Sequence, residues 1–579
     1  MKKTFKRMTA LLLALAMMVC VSATAFAAKG DVVATGNLTV TGDQLIGKEV
    51  TAILMFTARA TVGEPSNSYV FDSYVLEDAW LEFFKEEPGN GGIGKDELVT
   101  VGGATFSGTP TNEEYKEAAL KYVKSLENDE QNKGTLADFA HKAQKWYRAH
   151  TAAFTNLSET QTATAVSVTP GEKKGKATFT DLNAGYYLVF PEGGSTGEDS
   201  RATDAMLINI PTDELNATWN IKSVYPTVDK TVQTDSNGNY AETGSAQIGD
   251  TVTFRLTSTV PDMTDYTTYK FNFVDTMSNG LTFVRDSVEV TIDSVDNEKV
   301  QTSYKVTPPT SGNNNTLTVA FENLKGVSGI QTGKTITVTY KAVINENAVT
   351  TDPVTNSAKV EYSNDPVSGG TGESTPSTTK VYTYDINVHK YTGSWNGGTT
   401  GYLEGATFIL SKEDQLRNSG GVITDGNYGA DYADVINGIE LIATGDNYRV
   451  AKEKEEGTIY FTTTDKAITI SGLEAGTYYL HEVKAPAGYN KLTNPIKIEI
   501  RVSGETVNEK TPSYEDPVYI INDKTAEASD SNVIPVLNNN GITLPETGSI
   551  GTIGLTILGV GVVLAGIFVP RRKKKSTQA

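Results

Sequence analysis

Long stretches of the chain alternate apolar and polar residues with a period of two. DTVTFRLTSTV (250–260) and KTITVTYKAVI (334–344) put every second side chain on one face, as in strands with one face buried. LTVTG (38–42), VTAILMFTA (50–58), INVHKYT (386–392), ATFILSK (406–412), GTYYLHEV (476–483) and NPIKIEIRV (494–502) read as further strands, and turn residues separate them. One stretch switches period. In TLADFAHKAQKWYRAH, Leu136, Phe139, Ala140, Ala143, Trp146 and Tyr147 recur at helical spacing, with Thr135 and Asp138 at capping positions. The expected fold is mainly β, as tandem immunoglobulin-like sandwiches with helices added to the first.

Three blocks lie between the two ends. The first runs over 28–225 and is a β domain with helical insertions. The second, 226–364, is a sandwich. Residues 365–380, within SNDPVSGGTGESTPSTTK, read as a linker, and 381–525 as a third β domain. TAEASDSNVIPVLNNNGIT offers little to bury, so 526–543 reads as a stalk. A length of 579 residues suits several domains rather than one core.

The formal net charge of −20 argues against a nucleic-acid partner. Lys2, Lys3, Lys6 and Arg7 precede an apolar core and a small-x-small site at Ala25-Phe26-Ala27, the pattern of a secretory signal spanning 1–27. The only cysteine, Cys20, falls inside it, so the exported chain is expected to hold no disulfide. At the other end LPETG, Leu544, Pro545, Glu546, Thr547 and Gly548, is followed by a charge-free run over 550–569. That run has about the 20 residues a helix needs to span a bilayer. Arg571, Arg572, Lys573, Lys574 and Lys575 complete the sorting region 544–579 and belong on the cytoplasmic side. His141 and His150 have no partner at metal-ligand spacing, and no hydrolase motif stands out, so neither cofactor nor metal is expected.

The second and third blocks share an ordered trio. Lys230 in VDKTV, Asp275 in FNFVDTMSNGLTF and Asn356 in TNSAKVEY match Lys390 in VHKY, Glu482 in GTYYLHEVKAPAGYN and Asn522 in YIINDK. Burial disfavours the charged forms of amine and acid alike, which would supply a neutral nucleophile and a proton donor. Facing an asparagine carbonyl, such an amine can expel ammonia and leave an internal amide. In the first block DLNAGYYLVFPEGG echoes the segment around Glu482, but Phe190 stands at the acid's position, so no such bond is expected there.

LPETG with its apolar run and basic tail resembles the cell-wall sorting signal of Gram-positive surface proteins. That resemblance implies a sortase that cleaves between Thr547 and Gly548 and joins Thr547 to an amine. GLEAGTYYLHEVKAPAGY resembles the E-box of the collagen-adhesin B-type (CnaB-like) domain, which implies Glu482 as the catalytic acid and Lys390 with Asn522 as the bonded pair. IGDTVTFRLTSTVP with FVDTMSNGLTF is similar to the isopeptide-forming domain of fimbrial shaft proteins, which implies the same roles for Asp275, Lys230 and Asn356. The whole resembles a major pilin, secreted and wall-anchored, with sortase, other subunits and peptidoglycan as partners. In that family the acceptor lysine usually ends a Tyr-Pro-Lys segment. Here WNIKSVYPTVDK has Thr227 in its place, and Lys222 is the nearest candidate. The rival reading is a wall-anchored, non-polymerising accessory subunit or adhesin that binds a host ligand through the first block.

Overall fold

A computed structural model describes residues 34–539, apart from segments of which the longer are 63–68, 127–134, 168–173, 193–204, 211–215, 222–224, 235–237, 349–351, 396–400, 503–512 and 527–531. The expected signal segment, the LPETG motif, the apolar run after it and Lys222 lie outside the described residues. Among the described residues no helix is long and apolar enough to cross a membrane. The chain is mainly β. It divides into two compact units, one holding the first two blocks through Tyr382 except Gln247–Gly249, and the other those three residues with the third block.

The first block is built on two sheets. Tyr69–Leu76, Glu49–Val62, Gly185–Pro191 and Met206–Ile210 form one, with Thr160–Thr164 also on Glu49–Val62. Val166–Ser167, Lys174–Asn183, Thr35–Asp43 and Asn216–Ile221 form the other. Gly185 opens its strand against Phe56, where a Cβ would come 2.2 Å from the Phe56 carbonyl oxygen. Helices Asn112–Leu126 and Thr135–Ala149 cover the first sheet. The second helix buries Phe139, Ala140, Ala143 and Trp146, the face its spacing predicts. Trp80, Phe83 and Phe154 meet Trp146 edge-on or tilted, a favoured aromatic geometry.

The second block is a two-sheet sandwich. Asp229–Gln233, Thr251–Thr259, Thr335–Ile344 and Leu281–Phe283 make one sheet, with Glu289–Ile292 also on Thr335–Ile344. Thr243–Ser245, Ser377–Tyr382, Val354–Ser363, Phe271–Met277, Thr316–Phe321 and Lys305–Thr307 make the facing one. The alternation read in the sequence is the burial pattern found: Val252, Phe254 and Leu256 point inward, as do Ile336, Val338 and Tyr340. Residues 365–380 are not simply a linker. Thr371–Glu373 and Ser377–Tyr382 both pair with Val354–Ser363, and Thr379 and Val381 are buried. Gly, Ser, Thr and Pro dominate the stretch, but its last four residues begin the strand Ser377–Tyr382, which completes the sheet.

The third block also has two sheets. Leu441–Thr444, Asn447–Val450, Ile468–Leu473, Tyr384–Tyr391 and Val533–Leu537 form one. Tyr460–Thr462, Thr407–Ser411, Gly476–Lys484, Ile496–Arg501, Val518–Ile521 and Lys524–Thr525 form the other. Part of the expected stalk is therefore a strand. Val533–Leu537 runs parallel to Tyr384–Tyr391 at the sheet edge and buries Ile534 and Val536. Pro535 is tolerated because an edge strand leaves one row of N–H groups without a ladder partner.

Candidate functional site: two buried amine, acid and amide clusters

In the second block, Asp229–Gln233 carries Lys230 into the interior between the sheets, fully buried. Its Nζ contacts the Asp275 carboxylate and lies 3.2 Å from the Tyr340 hydroxyl. Phe254 presents its ring 4.7 Å away. Asp275 and Asn356 project from neighbouring strands of the facing sheet, where Met277 pairs with Asn356 and Asp275 with Ala358. Tyr340 joins the two: its hydroxyl donates to Asp275 Oδ2 at 2.7 Å and accepts from Asn356 Nδ2 at 2.6 Å. Desolvation by burial pushes the Lys230 amine below its ordinary value, although Asp275 pulls the other way. Desolvation likewise raises the Tyr340 hydroxyl well above the usual range, so it stays protonated. Asp275 Oδ1 and Asn356 Oδ1 are buried acceptors with no hydrogen-bond partner among the described residues. Such an orphan costs about 1–3 kcal/mol.

In the third block, Lys390 and Asn538 lie side by side at the end of the parallel pair, and Asn538 N donates to Tyr391 O at 3.0 Å. Lys390 Nζ contacts Asn538 Oδ1 and is 3.3 Å from Glu482 Oε1. Asn538 Nδ2 donates to the same Glu482 oxygen at 3.1 Å, and Leu492 N donates to Glu482 Oε2 at 2.7 Å. All three side chains are buried. Desolvation holds the Lys390 amine down to about 8, against the pull of Glu482.

The asparagine expected here was Asn522, and the structure places it elsewhere. It sits in the turn between Val518–Ile521 and Lys524–Thr525 with φ 49°, exchanging hydrogen bonds with the Lys497 backbone. Left-handed backbone suits Asn, and a carboxamide that bonds locally is a turn device. The sequence reading stopped one strand early, because Asn538 follows an edge strand hidden in a polar stretch. Tyr340 was missed as well, although its place on the buried face of an alternating strand was visible.

Among its described residues the first block assembles no comparable cluster. Phe190 is packed in the core, with the Arg148 guanidinium 5.4 Å from its ring centre. Among its described residues no lysine or carboxylate is buried. Its first and last strands, Thr35–Asp43 and Asn216–Ile221, are tied by Asn37 Nδ2 donating to Asn216 Oδ1 at 2.9 Å. His141 pairs with Asp265 at 2.7 Å and His150 stacks on Trp146. No group of three or more potential metal ligands occurs among the described residues.

The LPXTG cell wall anchor motif matches residues 537–576, which makes the chain a cell-wall-anchored surface protein. The SpaA prealbumin-like fold domain matches residues 394–512, within the third block. No curated protein matches the sequence significantly. Among solved structures, the full-length major pilin SpaD from Corynebacterium diphtheriae is similar over 88% of this chain and 98% of its own, with 16% identity and a TM-score of 0.38. The full-length major pilin RrgB from Streptococcus pneumoniae aligns over 65% and 88%, with 17% identity and a TM-score of 0.36. The group B streptococcus pilus 2b backbone protein aligns over 54% and 98%, with 24% identity and a TM-score of 0.34.

Proposed function

We propose that this protein is the shaft subunit of a covalent surface fibre, stiffened by two self-formed amides, Lys230 to Asn356 and Lys390 to Asn538. The observation that carries the reading is the pair of clusters: each gathers a buried lysine, a buried acid and a buried asparagine in the same chain order, the lysine touching the asparagine directly in the third block and sharing the Tyr340 hydroxyl with it in the second. A buried ion pair is weak evidence for stability, because desolvation offsets most of the attraction. Two of them, each beside a carboxamide, are better understood as reactive groups.

The reaction needs no cofactor. A proton passes from the lysine ammonium to the acid, and the neutral Nζ attacks the asparagine Cγ. The C–N bond to lysine forms, the C–N bond to the original amide nitrogen breaks, that nitrogen takes the acid's proton and leaves as ammonia, and Nζ returns its second proton to the acid. In the second block Tyr340 stands between Asn356 Nδ2 and Asp275. It therefore relays the proton, while in the third block Glu482 contacts both partners itself. During the reaction a proton on Asp275 supplies the donor that the orphan oxygens lack.

Outside the described residues, Thr547 is the acyl donor to the next subunit or to peptidoglycan, delivered by sortase. The accessory-subunit reading keeps one specific support, Thr227 where a shaft protein's acceptor lysine is expected.

Intact mass of the secreted ectodomain tests the amides. We expect a value two ammonia losses below the formula mass, one loss after Asn356→Ala or Asn538→Ala, and two after Asn522→Ala. An unshifted wild-type mass would sink the proposal.

A further inference from the structure

Three lysines among the described residues are held below the ordinary range by burial: Lys230, Lys390 and Lys48. The first two lie inside sandwich cores. Lys48 does not, and neither the fold nor the internal amides account for it.

Lys48 precedes the strand Glu49–Val62 in the first block, and its backbone is pinned. Its N donates to Leu45 O at 2.9 Å, and its O accepts from Ala165 N at 2.8 Å. From this fixed root the side chain reaches the second block within the same compact unit. There Nζ lies 2.9 Å from the Tyr362 hydroxyl and contacts the Glu373 carbonyl. The rings of Tyr362 and Tyr225 each stand 5.2 Å away. The residue as a whole is only partly buried, unlike Lys230 and Lys390. Desolvation brings it down to about 8, while the Glu373 carboxylate, itself paired with Lys359 at 2.7 Å, pulls weakly upward.

This environment differs from that of an ordinary surface lysine. An exposed ammonium is fully hydrated and almost wholly charged at neutral pH, and its four-carbon stem is free. The Lys48 amine is aimed, partly desolvated and more often neutral. Those are the properties an acyl acceptor needs, since only the neutral amine attacks and a fixed position lowers the entropic barrier.

We infer that Lys48 is the acceptor amine through which one copy of this chain is acylated by Thr547 of another, an inference that rests on the shaft reading. The donor is the thioester between the Thr547 carbonyl and the sortase cysteine. After the ammonium has lost a proton to solvent, Nζ attacks that carbonyl carbon. The C–N bond forms, the C–S bond breaks, and an N–H proton restores the cysteine thiol. No water or redox partner takes part. Tyr225 then stacks beside the acceptor, and Thr227 two residues later has no need to be a lysine.

The test uses the full chain in a host with its sortase. Polymer released from the wall is digested and sequenced by mass spectrometry, and Lys48→Arg is compared with Lys222→Arg in denaturing gels. Arg keeps the charge and the ring contacts but is not acylated, and secretion with wall attachment of the Lys48→Arg monomer checks folding. The expected result is a wild-type branched peptide joining Thr547 to Lys48, a ladder lost in Lys48→Arg and a ladder retained in Lys222→Arg. A ladder whose branch falls on another lysine would overturn Lys48 alone. A wild-type protein that reaches the wall only as monomer would overturn the shaft reading and Lys48 with it.

Discussion

The second and third blocks bury the same three kinds of side chain, yet they distribute them over their sheets in opposite ways. In the second, Lys230 stands on one sheet while Asp275 and Asn356 stand together on the other. In the third, Lys390 lies on one strand and Asn538 just past the end of its parallel neighbour, and the acid Glu482 faces them from the other sheet. The proposed amide of the second block would therefore join the two layers of the sandwich. That of the third would fasten an edge strand to its neighbour. The same chemistry would resist sliding of layers in one case and peeling of a strand in the other, with the acid facing the lysine from the opposite sheet in both.

The largest effect should come from removing each amide. Lys230 to Asn356 and Lys390 to Asn538 close loops of more than a hundred residues, for which chain entropy gives about 4–5 kcal/mol. Asn356→Ala and Asn538→Ala should each lower Tm by roughly 10–20 °C. Hydrogen exchange separates the two geometries. Asn538→Ala should deprotect the amides of Val533, Ile534, Val536 and Leu537 well before the rest of its sheet. Asn356→Ala should lower protection across its whole sandwich together. Equal and global deprotection in both would erase the distinction drawn between layer and strand.

A smaller effect distinguishes the proton routes. Tyr340→Phe removes the hydroxyl between Asn356 and Asp275 but leaves the ring in place. If the relay operates, ammonia loss in the second block after refolding slows by about 100-fold, the lower range for a positioned acid–base group. The third block, where Glu482 reaches both partners directly, keeps its rate. Mass against time after refolding reads both, and an unchanged rate would remove Tyr340 from the reaction.

The third effect is one of pH. In Asn538→Ala the Lys390 amine stays free, held in the fold to about 8 by desolvation. The unfolded chain keeps a lysine value near about 10.4. Between these values the unfolded chain binds more protons, so the variant's stability rises with pH from about 8 to about 10. In the wild type the proposed amide would make that nitrogen non-titrating, so no such rise is expected. Urea midpoints across this range decide the matter, and parallel slopes would mean that the wild-type lysine is also unbonded.

How much of this was legible depended on range. Period two located Lys230, Asp275 and Asn356 on strands, because each lies in a run where alternate residues are apolar. It also revealed the helix that packs on the first sheet, since Phe139, Ala143 and Trp146 share one face. What local pattern does not encode is parallel pairing between distant segments. Nothing near Val533–Leu537 says that it will lie beside Tyr384–Tyr391, and Pro535 with the three asparagines after Leu537 argues against a strand. Only the alternation of Ile534 and Val536, ending in Asn538, carried the signal. Lys48 was hidden for the same reason, since its partners Tyr225, Tyr362 and Glu373 lie far along the chain.

The smallest effect concerns Asn522, the residue whose sequence position most resembled the bonding asparagine. In the structure both it and Asp523 adopt positive φ, 49° and 64°, the geometry of a tight hairpin turn. Its side-chain oxygen accepts from Lys497 N at 3.0 Å. Asn522→Ala should therefore cost about 1–2 kcal/mol, from one lost hydrogen bond and from placing alanine in left-handed backbone. Asn522→Gly relieves the backbone part and should recover about half. Neither change should alter the count of ammonia losses. A variant at 522 that lost one would return the bond to Asn522 and leave Asn538 as a bystander, which the contact between Lys390 Nζ and Asn538 Oδ1 argues against.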